Sequence, residues 1–388
     1  MDAAQRDAPV SPLERSSHTA FIHNKTLYVW GGYQVVAGQD VVLPSDEIWL
    51  CDLDSGMWER REMTGDIPPD LSGFCGANIN TKLYIFGGYE TAGYSNQMFS
   101  VDLSEPCCSW KRVTDTKGTT PSPRNKHSCW VHRDRLIYFG GYGCKTLSEL
   151  RNTSSSNFTL EEMSWGWNSE VNVFDTLTAT WSMPETQGSA PSPRGCHASA
   201  LLGNKGYING GVEAAELDMF CLDLDTWTWT KLDISSAFAP LGRSWHTMTP
   251  TSDHTLFMYG GFGTNGDTLN DAWQFNTQTR EWTKMIHPHK DKPRVFHTAC
   301  LGRDSDVVVF GGSRNLCIVM DSMVILRLPS PHHCRDVLIF QTQPYSLSRL
   351  CEDVIGRNSE LLRMQLSWLP SKLQRTLEKR MSFFSASS

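Results

Sequence analysis

Lys82-Leu83-Tyr84-Ile85-Phe86-Gly87-Gly88-Tyr89 is a run of apolar residues that ends in a double glycine, and the chain repeats it. Leu27 to Tyr33 precedes it with Gly31-Gly32, and Leu136 to Tyr142 follows with Gly140-Gly141. Weaker copies end at Gly210-Gly211, Gly260-Gly261 and Gly311-Gly312. The first glycines stand 56, 53, 70, 50 and 51 residues apart, a period near 50. A β-branched and aromatic run reads as a strand buried on both faces. The glycines let the backbone turn at positive φ or approach a neighbour closely.

Each unit continues with a second strand, such as Glu47 to Asp52, and then a tryptophan: Trp58, Trp110, Trp181, Trp229 or Trp282. A large aromatic at a fixed place suits packing between adjacent sheets. Ahead of the glycines stands Arg-x-x-His, at Arg15/His18, Arg124/His127, Arg194/His197, Arg243/His246 and Arg294/His297. The second unit has Ser72-Gly73-Phe74-Cys75 instead. Six units in register predict an all-β fold, a six-bladed β-propeller of four-stranded blades. This is the kelch pattern. The predicted propeller spans 1–342, with repeats near 15–66, 72–120, 124–188, 194–238, 243–290 and 294–342.

The sixth unit has Asp336 to Phe340 but no following tryptophan strand. The expectation is that the N-terminal segment supplies the missing strand, although it is a poor β former. The third unit carries an insertion between Gly141 and Trp181 that ends in Trp165-Gly166-Trp167. Either one of those indoles caps a pocket or both pack between blades.

Net charge is −7 and there is no long basic run, which disfavours nucleic acid as a partner. No apolar run is long enough to span a bilayer, and the first residues carry no apolar leader. The 12 cysteines form no CxxC pair and read as thiols of a reducing compartment, the cytoplasm by default with the nucleus open. No cofactor is expected. A copper oxidase would need a His/Tyr cluster, whereas these histidines recur in five units as scaffold should. A catalytic role is therefore not expected.

Residues 343–388 change character. Leu347, Leu350, Cys351, Val354 and Ile355 form one apolar stripe on a helix begun by Pro344 and Ser346, with Gly356 expected to end or interrupt it. Leu361, Leu362, Met364 and Leu366 predict a second short helix, and helix restarts after Pro370 through Leu377. Ser346-Leu347-x-x-x-Cys351-x-x-x-Ile355 matches the elongin-binding box, a helix-in-groove motif. Leu369-Pro370 resembles the start of a cullin box. The alternative is a helix that caps the last blade.

With both parts in view, the chain resembles the family of kelch domain-containing proteins 1 and 2. Phe139 to Cys144, Leu224 to Trp229 and Leu338 to Leu347 carry the resemblance. It implies a substrate receptor of an elongin B/C–cullin RING ubiquitin ligase that captures proteins through a C-terminal Gly-Gly degron. It implies elongin contacts at Leu347, Cys351 and Ile355, and cullin-5 (less favoured, cullin-2) contacts at Leu369 and Pro370. It implies a degron pocket walled by Lys126, Tyr142, Trp167, Ser244 and Trp245, with Trp245 open between pocket wall and channel packing. The chain departs from the family at the loop after the fourth Gly-Gly. That loop reads Gly211-Val212-Glu213-Ala214-Ala215-Glu216-Leu217-Asp218, without the two arginines that clamp the terminal carboxylate. Losing charged hydrogen bonds at ~1.5–3 kcal/mol each predicts weaker or altered specificity, with Lys126 as a candidate replacement. The competing reading is an interaction scaffold outside any ligase.

Overall fold

The computed structural model describes residues 11–144, 165–212, 217–234, 238–321, 324–328, 332–358, 366 and 368–386. Five units each fold into an antiparallel sheet whose four main strands run in chain order from the centre outward. The first holds Thr19–His23, Thr26–Trp30, Glu47–Asp52 and Trp58–Glu62. The sixth holds three, Thr298–Leu301, Val307–Phe310 and Val337–Phe340.

The innermost strands stand side by side in order, Thr19–His23 next to Cys75–Ile79 and so on round to Thr298–Leu301, which returns to Thr19–His23. The sheets are therefore the blades of a six-bladed propeller. The outer-strand tryptophans fill the spaces between them. Trp110 meets Trp30 of the preceding blade at 5.2 Å between ring centroids, Trp181 meets Phe86 at 5.1 Å and Trp229 meets Phe139 at 5.2 Å. Trp58 meets Phe310 at 5.3 Å across the seam between last blade and first.

The double glycines are the joints. At Gly140 and Gly141 φ is +68° and +99°, and a Cβ on either would lie 2.6 Å from a carbonyl oxygen, of Arg194 and Asn125 respectively. No side chain fits so close to backbone. The closeness lets the Gly141 amide donate to the Arg194 carbonyl at 2.9 Å. The bond recurs from Gly88 to Arg124, Gly211 to Arg243, Gly261 to Arg294 and Gly312 to Arg15. Each arginine side chain is buried and faces back into its own blade. Arg194 donates to the Gly210 carbonyl at 3.1 Å and pairs with both carboxylate oxygens of Asp218 at 2.7 and 2.8 Å. Arg243 does the same with Gly260 and Asp271, Arg124 pairs with Glu170, and Arg294 with Asp336. These acids stand just before the third strand of each blade, a partner the repeat pattern did not reveal. The second blade has Leu71 for the arginine and Gln97 for the acid, so both partners are missing together.

The ring does not close by an N-terminal strand among the described residues. Residues 11–14 form no strand, and Val337–Phe340 is an edge of its sheet; residues 1–10 lie outside the described residues. Closure uses the joint found at four other boundaries: the Gly312 amide to the Arg15 carbonyl at 2.8 Å, Ser17 to the Phe296 carbonyl at 3.0 Å, and His18 Nε2 to Thr298 Oγ1 at 2.8 Å. A joint that already serves four other blade boundaries needs no shared strand to work once more.

The linkers between blades add a short parallel strand to the outer edge of the next blade, Thr64–Gly65 beside Ser109–Arg112 and Gln187–Gly188 beside Thr228–Lys231. They cover unpaired backbone that would otherwise be an open edge.

The tail is two helices, α1 (Leu347–Arg357) and α2 (Ser371–Ala386). Ser346 caps α1, its hydroxyl accepting from the Arg349 amide at 3.3 Å. Gly356 neither ends nor interrupts α1. It lets α2 lie close, since a Cβ there would come 2.7 Å from the Phe384 ring. Helix α2 runs nine residues past the predicted stop at Leu377, with Leu377 and Met381 buried and Phe384 against Gly356. The short helix expected from Leu361 falls outside the described residues except Leu366.

Candidate functional site

The second x of Arg-x-x-His turns left-handed in every blade that has the motif. Ser17, Lys126, Cys196, Trp245 and Phe296 have φ between +53° and +59°, and Gly73 takes the place in the second blade at +64°. That conformation costs an L-residue roughly 1–2 kcal/mol. Backbone bonds between blades hold it: Lys126 donates to Gly73, Cys196 to Lys126, Trp245 to Cys196 and Ser17 to Phe296, at 2.8 to 3.0 Å. The turn aims all six residues at the axis, where they line one cavity of about 700 Å³ at the end of the propeller that carries the double glycines. Such a volume accommodates a drug-sized ligand.

The histidines beneath sit where burial disfavours their charged form. His127, His197 and His297 are pushed down to about 3 by burial first and the neighbouring arginine second. His18 and His246 are also well lowered, mainly by burial. His197 meets Ser128 Oγ at 2.7 Å and His297 meets Thr247 Oγ1 at 2.9 Å, both in the preceding blade. They join blades, as recurrence predicted. No cluster of three or more metal-binding side chains occurs among the described residues.

The expected pocket residues divide. Lys126, Trp167 and Trp245 line the cavity. Lys126 is exposed, with Nζ 5.8 Å from the centre of the Trp167 ring. Trp245 does both jobs weighed for it, lining the cavity while its ring meets Phe296 edge-on at 5.2 Å. Tyr142 stands one layer back, its ring against Trp167 at 5.2 Å. Ser244 is buried, pairs along its backbone with Phe262, and is not in the lining. The loop at Glu213 and Glu216 lies outside the described residues.

Of the insertion's two indoles, Trp167 lines the cavity and Trp165 packs on Tyr94 of the second blade. Trp165–Trp167 pairs antiparallel with Tyr142–Cys144, Tyr142 opposite Trp167. Residues two apart on a strand share a face, so both indoles stand on the same side of this hairpin. Trp167 can lie inward because of Gly195, where a Cβ would come 2.4 Å from its ring. The matching position in other blades is Ser16, Ser72, Asn125, Ser244 or Val295. Sequence reading missed Gly195, Tyr94, Phe74 and Phe296. Alignment of the repeats would have found three of them, since Gly195, Phe74 and Phe296 occupy motif positions where the copies disagree.

A second candidate surface lies at the opposite end. The inner strands start at the cavity mouth and turn away from it at His23–Thr26, Asp52–Trp58 and Leu301–Val307. The tail docks on two of those far turns. Arg303 binds Glu352 of α1 through two bonds of 2.8 and 3.2 Å, and Lys379 of α2 reaches Asp52 at 2.5 Å. Asp353 is buried against Arg380 at 2.7 Å and Arg349 at 3.4 Å. Helix α1 thus turns its charges inward. Its apolar stripe faces water: Leu347 is 76% exposed, Val354 59%, and Leu350 and Cys351 are also exposed. Ile355 is the exception, packed on Leu366, Leu377 and Met381. Leu369 packs on the same cluster, leaving Pro370 and the Trp368 indole outside.

A ring of six sheets, joined by double glycines and Arg-x-x-His and carrying a walled cavity at one end, defines a kelch-type propeller. The family model described as the KLHDC2/KLHL20/DRC7 Kelch-repeats domain matches residues 17–261 and 236–350. The chain belongs to this kelch-repeat family. It is 46% identical to Kelch domain-containing protein 1 of Homo sapiens, over 97% of this chain and 92% of that one. It is 38% identical to Kelch domain-containing protein 2 of Bos taurus, over 95% and 91%. The solved structure of YjhT matches with a TM-score of 0.59 over 85% of this chain and 96% of that one; at 18% identity it speaks for the fold alone.

Proposed function

We propose that this protein is the substrate-binding subunit of an elongin B/C–cullin RING ubiquitin ligase, holding client chain ends in the cavity and ligase subunits at the opposite face. The observation that carries the reading is helix α1 turned inside out. A helix that merely capped the last blade would bury Leu347, Leu350 and Val354; this one buries Arg349, Glu352 and Asp353 instead. An exposed stripe at i, i+3, i+4 and i+7 is the form that helix-in-groove partners recognise. Leu347 and Cys351 are presented, and Ile355 closes the edge against α2. On the cullin side, with cullin-5 or cullin-2 as the partner, Pro370 and Trp368 are the residues available for contact.

The cavity suits a chain end. Flat rings can close around a backbone that offers no side chain. With the five histidines neutral, Lys126 is the lone charged side chain in its described lining, so the favoured ligand end is anionic. One exposed ammonium grips a carboxylate less firmly than two guanidinium forks would. We place the protein in a reducing compartment such as the cytosol, in keeping with the free thiols from Cys51 to Cys351.

The test is copurification of the intact chain with elongin B and C beside a Leu347→Ala/Cys351→Ala variant. Elongins recovered with the intact chain and lost from the variant support the ligase. Elongins absent from both leave a propeller scaffold outside any ligase.

A further inference from the structure

The cavity wall continues outward as a row of rings. Tyr89–Glu90 and Gly93–Tyr94 form a two-stranded hairpin on the second blade, with Tyr89 directly opposite Tyr94. Beside it rises the third-blade hairpin that carries Tyr142, Trp165 and Trp167. The facing sides touch. Tyr94 meets Trp165 at 4.8 Å, Tyr142 at 5.8 Å and Tyr89 at 5.0 Å. Tyr94 and Tyr89 also line the cavity, so the rings run without a break from Trp167 inside to Trp165 outside. At the outer end Tyr89 is 45% exposed and Trp165 39%. Rings of this size are ordinarily held out of water when they serve only the fold.

We infer that this rim is a second subsite, which binds an aromatic or proline side chain of the client just ahead of its terminal residues. The inference rests on the capture of a chain end proposed above. Three observations lead to it. A cavity of about 700 Å³ is far larger than two glycines, so residues upstream of the terminal pair lie in it or cross its edge. The second- and third-blade edge is aromatic, and it is continuous with the wall that would enclose the chain end. The chemistry preferred is a neutral ring. Lys126 already lies over Trp167, so an incoming cation would meet a like charge there. Ring-on-ring and proline-on-ring contacts suffer no such opposition. The terminal residues would then set whether a client binds, and the residue ahead of them which client binds best.

The experiment uses the full chain and fluorescent free-acid peptides that share a Gly-Gly end. One carries phenylalanine ahead of the glycines, one alanine and one arginine. Each is titrated into the intact protein and into a Trp165→Ala variant. Trp165 is exposed and outside the cavity lining, and an unchanged melting temperature verifies the variant's fold. The expected result is that the phenylalanine peptide binds the intact protein about tenfold better than the alanine peptide, the size of one good aromatic pair at ~1.4 kcal/mol. The variant should lose that tenfold and bind the alanine peptide as before. Equal affinity of all three peptides, a preference for arginine, or equal loss of both peptides in the variant overturns the subsite while chain-end capture stands. If the intact protein binds none of the free-acid peptides, capture itself is wrong and the subsite falls with it.

Discussion

The inverted helix permits a sharp test, because its two faces should fail differently. Leu347 has about a quarter of its surface out of water. Full burial of such a side chain stabilises by ~1.5–3 kcal/mol, so Leu347→Ala should cost the free protein only about 0.5 kcal/mol. In a domain this large that lowers the melting temperature by no more than about 2 °C. As an anchor in a partner groove the same leucine is worth ~2 kcal/mol or more, an affinity loss of about thirtyfold. Asp353 is the opposite case. It is buried between Arg380 and Arg349, and Asp353→Ala strands two guanidinium groups. Removing one member of a buried pair costs ~3–5 kcal/mol. The measurements are melting temperature, hydrogen exchange of the α2 amides, and calorimetric titration with elongin B/C. Leu347→Ala should leave exchange unchanged and abolish tight binding, whereas Asp353→Ala should speed exchange through α2. If Leu347→Ala loosens α2 as much as Asp353→Ala does, the leucine is structural and the groove reading is refuted. The same holds if its elongin affinity equals that of the unaltered chain.

Gly195→Ala should displace the Trp167 ring and weaken peptide binding about tenfold or more, and it should also lower the melting temperature, because the new Cβ meets the Lys126 carbonyl oxygen at 2.9 Å as well as the ring; peptide titration beside a thermal melt checks it. Asp271→Ala strands Arg243 and should cost ~3–5 kcal/mol, while the pair Arg243→Leu/Asp271→Gln, which copies the second blade's Leu71 and Gln97, should cost less than that single change in urea unfolding. Acid should destabilise the ring. The histidine pKa values are lower folded, near 3, than unfolded, near 6.5, so the unfolded chain binds more protons and stability falls as pH drops from about 6.5 towards 3. By pH 5 each such histidine has lost ~2 kcal/mol. Asp306, raised to about 6 by burial, opposes this, since its protonated form suits the fold, but it is one group against several. Unfolding free energies measured at pH 7, 6 and 5 check the sign, and a flat profile counts against neutral buried imidazoles.

Period and residue type were enough to reach the ring. Gly-Gly, Arg-x-x-His and tryptophan recur because each does one geometric job per blade, and a job repeated five or six times is visible in one sequence. The acids that hold the arginines stayed hidden because their spacing varies. Glu170 is 46 residues past Arg124, yet Asp218 is only 24 past Arg194. Only their place before the third strand is constant, and strand boundaries are poorly read from sequence. The apolar stripe of α1 was also legible, but periodicity says which residues share a face and not where that face points. Its direction depends on Arg303 and Arg380, one in the propeller and one in the other helix. The missing strand of the last blade predicts N-terminal closure only if every blade must have four strands. The joint chemistry shows that the requirement lies at the inner edge, where Arg15 and Gly312 meet.

The same reasoning locates the site. Backbone geometry at the second x of Arg-x-x-His is alike around the ring, left-handed and tied to its neighbour, while the side chains are Ser17, Gly73, Lys126, Cys196, Trp245 and Phe296. A scaffold that needed a particular side chain there would repeat it, as it repeats the arginine and histidine on either side. Five unlike side chains in a strained conformation, and one glycine, aimed at one cavity are therefore not set by the scaffold. The second blade carries this furthest. It has lost the arginine, the acid and the histidine, keeps glycine at the turn, and gives Phe74, Tyr89 and Tyr94 to the cavity lining. Trp30 stands against both Phe74 and Trp110 at 5.2 Å, so aromatic contact joins the first two blades where the ion pair is missing. The weakest copy of the repeat and the most aromatic part of the rim are one region, because a blade held by rings has rings to present.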